Sequence, residues 1–178
     1  MADLIKILPG ADFWAGGPEV SYDAEKFLTE NSEFKGVMVG EGEETFKELA
    51  GYYVEKNPQD LKNMTGICYR DGDQIIHNGW RQIMDLSSIP FIYKDLSEFK
   101  NRIIYYESSR GCPFSCSYCL SSIDKKLRFR DTETVKKELQ FFIDNKVPQV
   151  KFVDRTFNCK HAVSYTHLRA HETSQDLV

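Results

Sequence analysis

The chain has 178 residues, a formal net charge of −4 at pH 7 and 41% hydrophobic residues, a composition typical of globular proteins. Neither a basic block nor a basic stripe occurs, which argues against a nucleic-acid partner. No apolar run reaches the roughly 18 residues of a membrane span, and the first residues do not form a signal peptide. We therefore expect a cytoplasmic protein without membrane contact.

Residues 163–178 differ in composition and periodicity from the chain before them. Back-translated, they fit a sequencing adapter read through in one frame. We interpret them as a non-native tail, rather than a disordered polar C-terminus, and leave them out of fold reasoning. On this interpretation His167 and His171 are not ligand candidates. The natural sequence would break off near Ala162, and we expect the chain to be a fragment of a longer protein.

Residues 1–60 alternate strand and helix signals. A short apolar run in ADFWAGGPEV stops at Gly16-Gly17-Pro18, AEKFLTE is typical of a helix, and KGVMVG predicts a second strand. EGEETFKELAGYYVEKN then predicts a helix, and apolar residues recur in it at helical spacing at Phe46, Leu49, Ala50 and Tyr53. Short strands separated by helices indicate parallel pairing, as in a doubly wound α/β sheet.

Residues 61–100 are interpreted as a connector that begins with a β-hairpin. In MTGICYRDGDQIIHNG two apolar strands flank a turn at Asp71-Gly72-Asp73. The following stretch, QIMDLSSIPFIYKDLSEFK, contains Pro90 and has no sustained period. We predict that this second stretch is a linker between two domains.

Residues 101–162 carry the signals strand, loop, helix and strand in that order. The segments are NRIIYYESS, the cysteine-rich stretch, TETVKKELQFFIDNK and QVKFVDRTF. In the helix, Asp131 with Thr132 offers an N-cap, and an apolar stripe is formed by Val135, Leu139, Phe142 and Ile143. This order indicates the opening of a parallel barrel or sheet.

Three of the five cysteines crowd into ESSRGCPFSCSYCLSS with the spacing CxxxCxxC: Cys112, Cys116 and Cys119. In a reducing compartment, thiolates so spaced indicate an iron-sulfur cluster or zinc rather than disulfides. Structural zinc takes four protein ligands, and only Cys159 and His161 lie near enough to supply a fourth. The alternatives are therefore a catalytic cluster with one open iron, a zinc-stabilised binding module, and an iron-sulfur electron carrier, which the missing fourth thiolate disfavours.

RGCPFSCSYC resembles the signature of the radical S-adenosylmethionine (SAM) enzymes. The resemblance implies that Cys112, Cys116 and Cys119 bind a 4Fe-4S cluster, and that Tyr118 contacts the adenine of SAM. In that family the open iron chelates SAM, and one electron cleaves it to methionine and a 5′-deoxyadenosyl radical. The resemblance also implies an electron donor such as flavodoxin or ferredoxin, and a small-molecule or peptide substrate that the sequence does not identify.

Asp154 follows the second predicted strand of this barrel, where the family usually has a Gly-Gly-Glu stretch that meets the SAM amino group. Here the sequence is FVDRTFN, which departs from that pattern. The resemblance implies that Asp154 accepts a hydrogen bond from the SAM ammonium, and the alternative is that it caps a turn. We interpret Cys68, Cys159, His77 and His161 mainly as structural residues.

AGGPEVSYD and VGEGEETF resemble the end of the cobalamin-binding domain that precedes the radical SAM core in one large subgroup. The resemblance implies that Gly16 and Gly17 let the backbone approach the nucleotide tail of cobalamin, because glycine lacks a Cβ. An ordinary turn before Pro18 is the alternative. The Asp-x-His-x-x-Gly motif that ligates cobalt in many such domains does not occur in this sequence, since the first histidine is His77. The alternatives are that the parent protein binds cobalamin without the motif, that the motif lay in a missing N-terminal part, or that the domain is a vestige.

The predicted fold class is α/β: the C-terminal part of a Rossmann-like cobalamin-binding domain, followed by the start of a radical SAM partial (β/α) barrel. The resemblance covers most of residues 10–162. Because later barrel strands would complete the SAM site, we expect the chain to be inactive by itself.

Overall fold

A computed structural model describes residues 7–55, 60–119, 126–156 and 159. The chain falls into two compact units, which divide between Met84 and Asp85. This division differs from the interpretation of residues 61–100 as a separate connector. The hairpin of that segment extends the sheet of the first unit, whereas its later aromatic residues pack into the second unit.

Within the described part of the first unit, a four-stranded sheet packs against three helices. Its elements are β1 (Phe13–Gly16), α1 (Pro18–Ser21), α2 (Ala24–Glu30), β2 (Phe34–Met38), α3 (Glu43–Val54), β3 (Ile67–Asp71) and β4 (Gln74–His77), with a 3-10 turn at Leu61–Asn63. The strand order is β1-β2-β3-β4. β1 and β2 are parallel, as the α/β alternation predicted, while β3 and β4 add antiparallel strands.

Hydrophobic clusters lie on both faces of this sheet. On one face Leu28 of α2 packs against Val37 and Cys68, and on the other Leu49 of α3 packs against Ile67. Cys68 and Ile67 are neighbours on β3, so the alternation of a strand places them on opposite faces. Burial raises the pKa of the Cys68 thiol to about 11, which keeps it protonated at neutral pH. The structural role predicted for this cysteine is confirmed.

The buried face of α3 includes Leu49, as predicted, but Thr45 rather than Phe46 accompanies it. Thr45 and Leu49 are buried, whereas Phe46 is 62% exposed. The segment after β4 covers this side of the helix, because Arg81 donates from Nε to Thr45 Oγ1 at 3.2 Å and pairs with Glu48. A polar contact thus occupies the helix face beside Leu49.

The second unit joins a parallel strand pair to an antiparallel one. Its elements are β5 (Ile104–Tyr106), β6 (Ser109–Arg110), β7 (Arg128–Phe129), α4 (Thr132–Asp144) and β8 (Val150–Phe152), with 3-10 turns at Leu86–Ser88 and Ser97–Phe99. β5 and β8 are parallel, and β6 and β7 are antiparallel. The predicted order of strand, loop, helix and strand is confirmed, although the strands are shorter than predicted.

Helix α4 covers one face of the β5–β8 pair. Val135, Leu139 and Phe142 pack against β5, whereas Ile143, also predicted for the stripe, is 45% exposed. The predicted linker contributes rings and aliphatic groups to the same cluster at Phe91, Tyr93, Leu96 and Phe99. Its sequence lacks a period because these side chains pack individually around α4 rather than along one helix or strand.

Helix α4 begins at the predicted cap. The carboxylate of Asp131 accepts a hydrogen bond from the N–H of Thr134 at 2.8 Å, and the helix then runs for 13 residues. None of the helices in the described ranges is long and apolar enough to cross a membrane.

Candidate functional site

The cysteine-bearing loop starts from the antiparallel pair β6–β7. Gly111 follows β6 with a φ of 94°, in the left-handed region that favours glycine. A Cβ at this position would collide with the carbonyl oxygen of Lys126, on the chain that returns to β7. The two ends of the loop therefore approach closely only because residue 111 is glycine.

The three predicted cluster ligands lie on this loop, and none of them is part of a disulfide. Cys116 is exposed, while Cys112 and Cys119 are partly exposed. The N–H of Cys119 donates to the carbonyl of Cys116 at 3.1 Å, which closes a tight turn between them. Among the described residues, no three His, Cys, Asp or Glu side chains lie close enough together to hold a metal ion. The structure thus places the thiols on one short loop without gathering them, and their role as ligands stays a prediction.

Cys112 has hydrogen-bond donors that favour its thiolate. The hydroxyl of Thr156 donates to Cys112 Sγ at 3.3 Å, and the backbone N–H of Phe114 also donates to it. Together these donors hold the pKa of Cys112 below its usual value. Because the thiolate is the form that ligates metals, the donor set fits an iron-sulfur cluster chemically.

Asp154 follows β8 and contacts the strand that enters the cysteine loop. Its Oδ1 accepts from the N–H of Ser108 at 2.8 Å. Its Oδ2 accepts from the hydroxyls of Ser108 and Ser109, at 2.5 and 2.7 Å. The carboxylate that the sequence assigned to SAM therefore has three partners within the chain, and its contact with SAM stays a prediction.

A buried ion pair contacts β5, the strand that precedes Ser108. The Arg130 guanidinium donates to both carboxylate oxygens of Glu138, at 2.8 and 2.9 Å, and the Tyr106 hydroxyl donates to Glu138 Oε2 at 2.5 Å. Burial, followed by the Glu138 contact, raises the pKa of Tyr106. This group was not predicted from the sequence, although Glu138 lies three residues after Val135 on the apolar face of α4. An acid at such a position is the signal that would have indicated it.

Other residues singled out from the sequence belong to the second unit and to the hairpin. Tyr118, the predicted adenine contact, is 91% exposed, so its ring is accessible for stacking. Cys159 is exposed, and His161 lies outside the described residues. His77 accepts at Nδ1 from the N–H of Gly79 at 2.9 Å, in agreement with the structural role predicted for it.

Gly16 and Gly17 lie at the carboxyl end of β1. A Cβ on Gly16 would lie 3.3 Å from Met38 Cε, whereas Gly17 has a φ of 98° and open space at its Cβ position. The Ser21 hydroxyl donates to the Gly17 carbonyl at 2.8 Å and accepts from the N–H of Gly40 at 3.3 Å. The loops after the parallel strands β1 and β2 thus meet at the carboxyl ends of these strands, where doubly wound folds bind ligands.

The chain has the fold of the corresponding part of the cobalamin-dependent SAM radical enzymes, since solved structures of that class align with 93% of it. OxsB, with aqua-cobalamin and S-adenosylmethionine bound, aligns with a TM-score of 0.66 and 18% identity, over 25% of its own chain. TsrM from Kitasatospora setae, with cobalamin and a 4Fe-4S cluster bound, aligns with a TM-score of 0.65 and 18% identity, over 34% of its own chain.

Sequence comparison gives a relative that covers a similar share of the chain. An uncharacterized methyltransferase from Pyrococcus horikoshii is 30% identical over 174 residues, which are 91% of this chain and 37% of that relative. No family model matches the chain. The chain therefore spans little more than a third of the length of this relative, and a quarter to a third of the two solved structures.

Proposed function

We propose that the chain forms part of a radical SAM enzyme, which binds a 4Fe-4S cluster through Cys112, Cys116 and Cys119 and cleaves SAM reductively. The observation that carries the proposal is the CxxxCxxC loop after the first strand of a parallel β-α-β unit, in the fold of OxsB and TsrM. Three thiolate ligands would leave one iron of the cluster available to SAM, and this open position favours catalysis over a purely structural metal site.

The cluster, when bound, would supply the electron that cleaves SAM. The chain would supply the ligands, and the loop would close so that the three thiols converge. Thr156 would donate its hydrogen bond to the sulfur of Cys112, the kind of outer contact that orients and tunes a metal ligand. Tyr118 would present its exposed ring to the adenine of SAM.

The first unit supports an extension of this proposal to cobalamin. The open space beside Gly17, at the sheet edge where the loops after β1 and β2 meet, suits a close approach of the backbone to a cofactor tail. Because no histidine precedes His77, residues 1–76 supply no histidine ligand for cobalt. We propose that any cobalamin bound here would be held without a histidine ligand from this region.

The reaction after SAM cleavage would be hydrogen abstraction or methyl transfer. The second is favoured by the name of the Pyrococcus relative, a methyltransferase. Flavodoxin or ferredoxin is the proposed electron donor, in the cytoplasm, and the substrate is a small molecule or peptide. We expect the chain alone to release no sustained deoxyadenosine.

Anaerobic reconstitution of the full chain with iron and sulfide tests the cluster. We expect a brown protein with about four iron atoms per chain, and an electron spin resonance signal after reduction that changes when SAM is added. Cys116→Ala should lose the colour and the signal. Cys159→Ala, which alters an exposed cysteine outside the spacing, is the matched control and should keep both.

Two outcomes would contradict the proposal. One is stoichiometric zinc that iron and sulfide do not replace, which would favour the zinc-stabilised module. The other is an equal loss of iron in Cys116→Ala and Cys159→Ala, which would show that the CxxxCxxC spacing does not define the site.

A further inference from the structure

We propose that Asp154 is a positioning residue that anchors the entrance of the cysteine loop, rather than a contact of bound SAM. The anchor itself is a property of the folded chain. Its consequence for metal binding rests on the proposed cluster site.

The first support is the arrangement of donors around the carboxylate. Ser108 and Ser109 are 1% and 2% exposed, so their hydroxyls require partners inside the protein. Asp154 accepts from both hydroxyls and from the N–H of Ser108, at distances between 2.5 and 2.8 Å. An ionised carboxylate has about four lone-pair positions and no donor, so it can accept three such bonds at once.

The second support is the backbone on the other side of Ser108. Its carbonyl accepts from the N–H of Arg130 at 2.9 Å, directly after β7. The guanidinium of Arg130 is in turn fixed by Glu138 of α4. Ser108 is therefore held at its N–H, its hydroxyl and its carbonyl, and Cys112 follows only four residues later.

The third support is that the chain after β8 reaches the loop twice. Asp154 contacts the serines at the entrance, and Thr156 contacts Sγ of Cys112 at 3.3 Å. Asp154 and Thr156 are only two positions apart, so one short segment binds both the entrance and the first thiol. The parallel pairing of β5 with β8 brings this segment to the loop.

An anchor of this kind orders the loop before a ligand arrives. Removal of the carboxylate would leave two buried hydroxyls and one N–H without their acceptor, and the strand at the entrance would open more often. Three thiols converge on one cluster only when the loop that carries them is ordered. Loss of the anchor would therefore reduce cluster uptake without altering a ligand.

Hydrogen exchange of the metal-free full chain tests the anchor. In Asp154→Ala we expect exchange in residues 107–119 to accelerate about tenfold, the factor that ~1.4 kcal/mol provides. Exchange in α4 should stay unchanged, which separates loss of the anchor from general unfolding. Asp144→Ala, at the exposed end of α4, is the matched control and should leave the loop unaffected. Equal exchange of the loop in wild type and Asp154→Ala would overturn the proposal.

Two milder variants keep the test decisive if Asp154→Ala unfolds the unit. Asp154→Asn retains an acceptor for the N–H of Ser108, and its amide can donate to a serine hydroxyl, so loop exchange should rise about threefold or less. Ser109→Ala removes one hydroxyl and should accelerate loop exchange by less than Asp154→Ala does. Combined with Asp154→Asn, it should add less than its separate effect, because both changes act on the contact between residue 154 and the Ser109 hydroxyl. Full additivity would contradict the anchor.

Iron uptake then separates this inference from the proposed function. If the wild type binds no iron, the cluster proposal fails, while the exchange result still decides the anchor. If it binds iron, Asp154→Ala should bind less than half as much and Asp154→Asn close to the wild-type amount. An Asp154→Asn protein with wild-type exchange and iron content, but at least tenfold weaker SAM binding, would overturn the anchor in favour of a SAM contact.

Discussion

The two units cover their sheets to different extents. In the first unit α2 packs on one face of the four-stranded sheet and α3 on the other. In the described part of the second unit, α4 covers one face of the β5–β8 pair. Side chains of the opposite face are about half exposed, namely Ile103, Tyr105 and Val153. The first unit is held by two apolar layers, whereas the second combines one apolar layer with buried polar contacts.

The two units therefore differ in how much buried polar side chains contribute to their stability. Glu138 sits in the apolar face of α4, and Asp154 holds two buried serines at the start of the cysteine loop. Such contacts are directional, so they fix the orientation of a strand more strictly than apolar packing does. The candidate site lies in the unit where orientation depends on these contacts.

We expect the greatest loss of stability when a buried Arg–Glu pair is broken, and we compare it with a partly exposed pair of the same residue types. Glu138→Ala leaves Arg130 buried without its partner and removes the acceptor of the Tyr106 hydroxyl, so the second unit should lose about 3–5 kcal/mol of stability. Glu48→Ala breaks the partly exposed pair with Arg81 in the first unit and should cost about 1 kcal/mol or less.

Unfolding in denaturant measures both changes. Trp14 and Trp80 are the only tryptophans in the sequence and both belong to the first unit, so their fluorescence follows that unit. Hydrogen exchange of α4 follows the second. Equal losses of stability in the two variants would show that the second unit does not depend more strongly on its buried ion pair than the first unit does on its partly exposed one.

The next prediction compares two neighbouring isoleucines at the start of β5, one buried and one exposed. Ile104 is 1% exposed against α4, while Ile103 is 45% exposed. Ile104→Ala should destabilise the second unit by about 2–5 kcal/mol, because it leaves a cavity in the core. Ile103→Ala should change stability by about 0.5 kcal/mol or less. Hydrogen exchange of α4 measures both, and similar values would show that the second face is covered as well.

We expect the smallest contribution to stability from the N-cap of α4 at Asp131. The N–H and hydroxyl of Thr134 donate to Asp131 and lower the pKa of its carboxyl. A lowered pKa in the folded state adds stability that is complete above the unfolded value of about 3.9 and is lost as the pH falls through the folded value. A carboxyl titration followed by NMR should give a midpoint for Asp131 below that value. A midpoint at or above it would contradict the cap, and Asp131→Asn identifies the resonance.

Local patterns predicted the elements well. AEKFLTE forms α2 over Ala24–Glu30, the turn at Asp71-Gly72-Asp73 joins β3 to β4, and the cap at Asp131 starts α4. Each of these depends on residues within a few positions of one another. The parallel pairing of β1 with β2, and of β5 with β8, followed from the helices between them.

Contacts between distant residues were not predictable in the same way. β2 pairs with β3, so the hairpin belongs to the sheet of the first unit. The hairpin sequence gives no indication that β2 is the strand with which it pairs. Asp154 and Ser108 are 46 positions apart, so the sequence showed an acid after a strand but not the hydroxyls that it accepts from. The cysteine spacing indicated the type of site, whereas the contacts that hold its loop required the structure.

Burial divides the thiols of the chain into two chemical populations. Cys68 lies at 0% exposure in the first unit with a raised pKa, whereas Cys116 is exposed on the loop of the second. Oxidants and alkylating reagents attack accessible thiolates, so they would modify the loop and spare the sheet. Chemical damage to this protein would thus reach the candidate metal site before it reaches the buried thiol of the first unit.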